Sequence, residues 1–276
     1  MKPEPECRYD FKGRVAMVTG AAGAIGSGIS RGLLKSNCNV AITDVSIEAL
    51  DDLYQELKEQ FGEKVKKFVM DVTEFDSVAN GIKAIVENFG SLDIAVINAG
   101  IAHVSSIKDM DVKEFQKLEK VNVEGTLLVL KELAKHFEKQ NTGGDIILIS
   151  TKNVFSPGAS FGAYSATKAA AHQLARIACL EFAPLGVRVN MVAPDAVFSD
   201  GKRKSGLWQK IGPERMKARG LDEKGLEEYY RNRNLLKAQI TAEHVANAVL
   251  FFASRQTPTT GATLPVDGGL PDATPR

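Results

Sequence analysis

The feature that most constrains this chain is an alternation of short apolar runs with longer segments whose apolar residues recur at helical spacing. Val15–Val18, Val40–Thr43, Phe68–Met70, Ile94–Ile97, Ile146–Ile149 and Val187–Val192 read as short strands buried on both faces. Between them come stretches such as the one carrying Ile47, Leu50, Leu53, Tyr54 and Leu57, spaced for one face of a helix. Strand and helix in turn imply a parallel sheet, because each parallel crossover has to return along a sheet face and covers it. No repeat, low-complexity tract or Pro/Gly-rich linker interrupts residues 1–276. The expected fold is therefore α/β: a single domain with a doubly wound parallel sheet and helices on both faces.

One stretch breaks the alternation. Residues 198–237 are charged, carry the sole tryptophan, Trp208, and include Lys202-Arg203-Lys204 and a helix-like run from Glu223 to Arg233. They precede a further helix, Ala242–Ala253. Such an insertion is either a solvated surface excursion or a lid over a site. The basic triplet is either a solvated run or a phosphate site.

Charge and cysteine usage bound the partners. A net charge of +1 gives no electrostatic footprint for nucleic acid or an anionic membrane. Met1–Glu6 lacks the apolar stretch of a signal peptide, and no apolar run reaches the ~18 residues of a membrane span. Cys7, Cys38 and Cys179 are scattered, with neither metal-ligand nor disulfide spacing. Reduced thiols, no metal and a cytoplasmic location are the expectation.

The first strand runs into Thr19-Gly20-Ala21-Ala22-Gly23-Ala24-Ile25-Gly26 and then a helical pattern. Small residues let backbone approach a pyrophosphate, and a helix N-terminus favours its charge. A merely tight turn explains the loop equally well in isolation. Asp44 ends the second strand, about 20 residues on, where a carboxylate can accept from an adenosine ribose and repel a 2′-phosphate. No Arg or Lys follows directly at Val45-Ser46, so NAD is expected rather than NADP. Asp44 can also cap the helix starting near Ser46. Asp71, after the third strand, is suited to an adenine contact or to a helix cap. Asn98-Ala99-Gly100 suits close cofactor approach or a plain turn.

Tyr164-Ser165-Ala166-Thr167-Lys168 puts a phenol and an ammonium on one helix face. A free tyrosine, with pKa ~10, is a poor base at neutral pH. A neighbouring ammonium would favour the phenolate and lower that pKa. Ser150-Thr151 ends the fifth strand and brings a hydroxyl to the same sheet edge, able to stabilise charge on a substrate oxygen. Asn122 lies in a helical stretch. It is either a surface amide or a buried one whose partners include a water linked to Lys168.

These motifs, in this order from about Lys12 to Gly269, resemble the short-chain dehydrogenase/reductase family. Asp71-Val72, Arg188-Val189-Asn190 and Val266-Asp267-Gly268-Gly269 belong to the same pattern. The resemblance implies a Rossmann sheet of about seven strands, a homotetramer and a catalytic tetrad of Asn122, a hydroxyl residue, Tyr164 and Lys168. It makes Tyr164 the acid/base, has Lys168 lower its pKa and bind the nicotinamide ribose, and has Asn122 hold a relay water. It places the catalytic hydroxyl on Thr151 where the family has serine, with Ser150 as the alternative. Cofactor contacts are implied at Thr19, Gly20, Ala22, Ala24, Ile25 and Gly26, at Asp44, Val45, Asp71 and Val72, at Asn98, Ala99 and Gly100, at Tyr164 and Lys168, and at Pro194, Ala196 and Val197. Ala24 replaces the loop's middle glycine, and Asp195 replaces the glycine usual after the proline.

The C-terminal half resembles one branch more closely, in Thr151-Lys152-Asn153, Pro194-Asp195-Ala196-Val197, Ser205-Gly206-Leu207-Trp208 and Asn234-Leu235-Leu236-Lys237. That branch is the dehydrogenase domain of bifunctional rhamnulose-1-phosphate aldolase/lactaldehyde dehydrogenases; sorbitol-6-phosphate dehydrogenases are a more distant likeness. No aldolase half accompanies it in this sequence. A small polar substrate is implied (a sugar, polyol, sugar phosphate or lactaldehyde-like carbonyl), with Ser150, Lys152, Asn153, Asp195 and Trp208 facing it. In the family's pattern the substrate loop follows the sixth strand, which favours the lid for residues 198–237; the tail Leu270–Arg276 is a candidate subunit contact. Two rival readings remain: a 3-oxoacyl-type carbonyl reductase, disfavoured by the polar residues, and a non-catalytic NAD-binding sensor or scaffold.

Overall fold

Strands that are apolar on both faces must be covered on both, and the chain does this. A computed structural model describes residues 9–270. Seven parallel strands pair in the order β3-β2-β1-β4-β5-β6-β7. They are β1 (Val15–Thr19), β2 (Asn39–Asp44), β3 (Val65–Val69), β4 (Ile94–Ile97), β5 (Gly144–Ile149), β6 (Val187–Pro194) and β7 (Thr263–Val266).

Alternate residues of each strand serve opposite faces. Ala16 and Val18 of β1 pack with Ile29 and Leu33 of α1 (Ala24–Lys35), Leu50 and Leu53 of α2 (Ile47–Phe61) and Val245 and Val249 of α9 (Ala242–Ala253). Val15 and Met17 pack with Val78 and Ile82 of α3 (Phe75–Phe89), Val129 and Leu133 of α5 (Gly125–Gln140) and Ala171 and Ala175 of α6 (Gly162–Phe182). Each fully buried Leu or Ile contributes about 1.5–3 kcal/mol over an exposed one. Polar chemistry in this sheet is accordingly pushed to the strand ends. At the N-terminal end, Arg188 donates to Asp145 Oδ1 at 2.8 Å and to the carbonyls of Thr257 and Phe252. The Arg188-Val189-Asn190 motif thus ties the sheet together on the side away from the cavity.

The strands agree with the alternation in the sequence, with one shift. β3 starts at Val65 and ends before Met70, so it contains Lys66 and Lys67, outside the expected apolar run. It is an edge strand with half-exposed positions, where lysine is tolerated and blunts the edge. The helix expected at Ala242–Ala253 forms with those bounds. Thr241 Oγ1 accepts from the His244 N–H and His244 Nδ1 accepts from the Thr241 N–H, both at 3.2 Å, which sets its start. Among the described residues no helix is long and apolar enough to cross a membrane. Cys38 and Cys179 are free and buried; Cys7 and most of the tail Leu270–Arg276 lie outside the described residues.

β1 sits between β2 and β4, so the winding reverses there, and a crevice opens beyond the C-terminal ends of the strands.

Candidate functional site

That crevice is a cavity of about 580 Å³. One half is built from strand ends. Gly20 closes the turn after β1 at φ +61°, and a Cβ there would lie 2.8 Å from the Ala99 Cα. Asn98 Nδ2 donates to the Thr19 and Gly20 carbonyls, each at 2.9 Å, and Thr19 Oγ1 accepts from the Asn98 N–H at 2.9 Å. The glycine loop is thereby stapled to β4. Helix α1 begins after Gly23 with no side-chain cap and no acidic residue in its first turn. Its terminal N–H groups face a wall of Gly20, Ala24, Ile25 and Gly26 and suit an anion such as a pyrophosphate.

Asp44 holds the far end. Its Oδ2 accepts from the Ala22 N–H and its Oδ1 from the Ser46 N–H, both at 3.0 Å, which leaves lone pairs for a ligand hydroxyl. Ser46, not Asp44, is the N-cap of α2. Thr19 and Ala22 support this wall through these bonds rather than lining it, whereas Val45, Asp71, Val72, Asn98, Ala99 and Gly100 line it. Asp71 Oδ1 accepts from the backbone and the hydroxyl of Thr73, both at 2.8 Å, closing a turn. The N-cap of α3 is Glu74, so Asp71 is not the helix cap.

The second cluster sits where β5 meets α6. Tyr164 and Lys168 lie one turn apart on α6 and both line the cavity. Burial pushes the Tyr164 phenol up to about 12, against a hydrogen bond with the Thr151 side chain that favours the phenolate. Burial likewise pushes Lys168 down to about 8. Its Nζ donates to the Ile149 carbonyl at 2.9 Å. Desolvation thus dominates at Tyr164, and the Lys168 ammonium is turned to a carbonyl.

The two adjacent hydroxyls part company. Ser150 Oγ hydrogen-bonds His172 Nδ1 at 2.9 Å. Burial, then Arg176, lowers the pKa of that imidazole. Thr151, one residue on, faces Tyr164. Asn122 lies in a π-helical turn, Glu119–Glu124, between α4 (Val112–Leu118) and α5. Its side chain accepts from the Ile101 N–H and donates to the Ile101 carbonyl, both at 2.9 Å, and to Thr167 Oγ1 at 3.0 Å. Backbone and Thr167 therefore supply the partners expected from a water. Asn122 Oδ1 and Lys168 Nζ flank Gly100, 3.2 and 3.3 Å from where its Cβ would stand.

The insertion builds the other half. Two helices, α7 (Gly206–Arg219) and α8 (Glu223–Asn232), carry Leu207, Trp208, Ile211, Arg215 and Tyr230 onto the cavity wall, with Arg233 just beyond. Trp208 packs on Phe198 and Tyr230 at 4.5 and 4.9 Å between ring centroids. The end of the insertion is anchored on the Val266–Gly269 motif: Leu235 and Leu236 donate to the Gly269 and Gly268 carbonyls. A Cβ on Gly268 (φ +68°) would meet Asn234 Oδ1 at 2.4 Å, so only glycine fits. Pro194, Ala196 and Val197 line the seam between the halves, and Ser150, Lys152 and Asn153 the floor.

Asp195 was expected to face substrate. It lines the cavity, and its carboxylate is engaged there by Arg233, also on the wall, through Nε at 3.2 Å and through Nη2. The Lys202–Lys204 run is also engaged, outside the cavity: Lys202 and Arg203 pair with Glu56, and Lys204 with Glu223. Arg215, Tyr230 and Arg233 were missed in the sequence. The available signals were helical spacings, Trp208/Ile211/Arg215 and Leu226/Tyr230/Arg233, within segments of high charge.

Comparison with known proteins agrees with this geometry. A family profile described as short chain dehydrogenase matches residues 14–210. The chain is 35% identical over 266 residues to the uncharacterized oxidoreductase YuxG of Bacillus subtilis, covering 96% of this chain and 38% of that longer protein. It is 32% identical over 260 residues to a diacetyl reductase [(S)-acetoin forming] of Staphylococcus epidermidis, covering 93% and 98% of the two chains. Among solved structures, sorbitol-6-phosphate 2-dehydrogenase SrlD from Erwinia amylovora superposes with a TM-score of 0.84 at 26% identity, covering 92% and 98%. With the glycine loop, the strand-end cavity and the Tyr164/Lys168 pair, these matches place the chain in the short-chain dehydrogenase family, oxidoreductases that use nicotinamide cofactors.

Proposed function

We propose that the protein is an NAD-dependent oxidoreductase that interconverts a small hydroxylated alcohol and its carbonyl. The observation that carries this reading is the convergence of Thr151, Tyr164 and Lys168 on the wall of one cavity, opposite the glycine loop and beside the insertion. A nicotinamide cofactor held by the glycine loop and Asp44 would supply or accept the hydride. The chain's own residues then hold the substrate oxygen and move its proton. Thr151 donates to that oxygen. Tyr164 gives its phenolic proton when a carbonyl is reduced and takes the proton back when an alcohol is oxidised. Lys168, one turn along the same helix, lines the same wall, and its positive charge would favour the phenolate during oxidation. Asn122 braces the Ile101 backbone beside Gly100 and keeps the Lys168 side of the wall in place.

Asp44 supports NAD over NADP, because its carboxylate stands where a 2′-phosphate would bring like charge and no cation adjoins it at positions 45–46. The polar floor of Lys152 and Asn153 and the anchored insertion support a small polar substrate under a lid. The substrates in the names of two similar proteins, diacetyl and sorbitol 6-phosphate, fall in that chemical range. The branch resemblance adds lactaldehyde-like carbonyls. Exposed Leu127 on α5 and Ile177 and Leu180 on α6 support self-association, as a tetramer by family resemblance; light scattering tests it.

The test is nicotinamide absorbance with NAD and NADP over a panel of small alcohols, polyols and sugars. Turnover with NAD on a member of that panel is expected. Cofactor binding without turnover on any member would overturn the enzymatic reading.

A further inference from the structure

The insertion brings more cationic charge into the substrate half than the chain neutralises. Arg215 on α7 is 8% exposed and lines the cavity. Its Nη1 reaches the Ala159 carbonyl at 3.5 Å and its Nη2 the Tyr230 hydroxyl at 3.4 Å, both at the long limit of a hydrogen bond. Its Nε is buried without a partner. The guanidinium lies over the Phe161 ring at 4.9 Å. Lys152, also 8% exposed, stands on the adjoining floor and donates to the Ser156 carbonyl at 2.9 Å.

The charges around Lys152 are Arg233 and Arg215, which oppose its ammonium, and Asp195 and Asp267, which favour it. Asp195 is committed to Arg233 in a two-point ion pair. Among the described residues no carboxylate forms an ion pair with Arg215. A buried guanidinium with an orphaned donor is costly unless something pairs with it. Guanidinium is also the group best shaped for two-point binding of a carboxylate or phosphate. The Lys202–Lys204 run differs, since it lies outside the cavity wall and is paired with Glu56 and Glu223.

We infer that the substrate carries an anionic group, a carboxylate or a phosphate, and that Arg215 receives it with Lys152 alongside. This rests on the oxidoreductase reading and names the substrate class for that site. Phe161 and Tyr230 hold the guanidinium in place.

The experiment compares kcat and KM for matched substrates: a neutral polyol, its phosphate ester and the corresponding hydroxy acid. Wild type should favour one of the two anionic members, and which one identifies the anion. In Arg215→Met the anionic-to-neutral ratio of kcat/KM should fall about 10- to 100-fold, carried mainly by KM. Arg215→Lys should recover part of it. A wild-type preference for the neutral member, or an equal loss for neutral and anionic members, would overturn the inference. If no substrate turns over, the oxidoreductase reading is what fails, and the anion site is judged separately. Trp208, the sole tryptophan, lines the same cavity. Its fluorescence should then respond saturably to inorganic phosphate or to malonate in wild type and not in Arg215→Met. An identical response in both proteins, or none in wild type, would sink the proposal. Lys152→Met gives the same readouts should Arg215→Met fail to fold.

Discussion

The two halves of the cavity are built by different rules. The cofactor half is made of strand ends, small residues and backbone bonds: Gly20 against Ala99, Asn98 on the Thr19 and Gly20 carbonyls, Asp44 on two N–H groups. The sheet dictates where each of those atoms goes. The substrate half is made of side chains from the insertion, Leu207, Trp208, Ile211 and Tyr230 together with Arg215 and Arg233, and its electrostatics depend on which charges find partners. Asp195 and the Lys202–Lys204 run find them; Arg215 does not. Identity and order of residues therefore locate the first half, while only pairing in space assigns the second.

The sharpest test of the boundary between the halves is Tyr164→Phe. If proton transfer runs through the phenol, turnover falls about 10²- to 10⁴-fold. Cofactor affinity, measured by titration, should hold, because the strand-end wall is untouched. A variant that retains turnover to within about tenfold would break the assignment. Next comes the pair of adjacent hydroxyls. Thr151→Ala should cost about 10²-fold in kcat, the scale of one lost donor to a charged transition state. Ser150→Ala should cost only a few-fold, since that hydroxyl is bound to His172. The reverse ranking would show that substrate meets Ser150.

Asp44→Ser probes the far end. Hydrogen bonds to a charged group carry about 1.5–3 kcal/mol, so kcat/KM with NAD should fall about 10- to 100-fold. Use of NADP should rise as the like-charge repulsion goes. An unchanged cofactor ratio would remove Asp44 from recognition.

The pH dependence sharpens the comparison within the catalytic cluster. Carbonyl reduction needs Tyr164 protonated and Lys168 charged. Tyr164 is held up at about 12 and Lys168 down at about 8. As pH rises, Lys168 therefore loses its proton first. For a neutral substrate, kcat/KM of reduction should be level below about pH 8 and fall up to about tenfold per unit above it. A profile flat through that range would mean that the Lys168 charge is not required.

The fold was legible because buried strands and amphipathic helices write their periods into sequence. Ile94–Ile97 forms a strand with those bounds, and Ala242–Ala253 is a helix capped by Thr241. β3 was misplaced because an edge strand carries lysines that an apolar run does not predict. Helix α7 escaped notice because it holds Gly206, Gly212 and Pro213 and buries only Ile211, Gly212 and Arg215. Motif order brought Tyr164, Lys168 and Thr151 to one place. What it could not convey was pairing. Asp195 lines the cavity with its carboxylate shared with Arg233, and the Asn122 amide is held by the Ile101 backbone and Thr167.

The smallest expected effect tests that point about pairing. Lys202 is 65% exposed, and its ammonium meets Glu56 at 3.2 Å. Burial opposes ionisation of Glu56, but hydrogen bonds from Arg203, Arg31 and Lys202 hold its carboxyl down at about 2. With two further cations on Glu56, removing the exposed one leaves the carboxylate paired. Lys202→Ala should therefore change unfolding free energy by less than about 1 kcal/mol. It should also leave KM for an anionic substrate within about twofold of wild type, because the triplet points away from the cavity. Chemical denaturation and steady-state kinetics on one preparation measure both. A tenfold rise in KM for the anionic member alone would bring the triplet back as a binding site and break the division between engaged and free charge on which the reading of Arg215 depends.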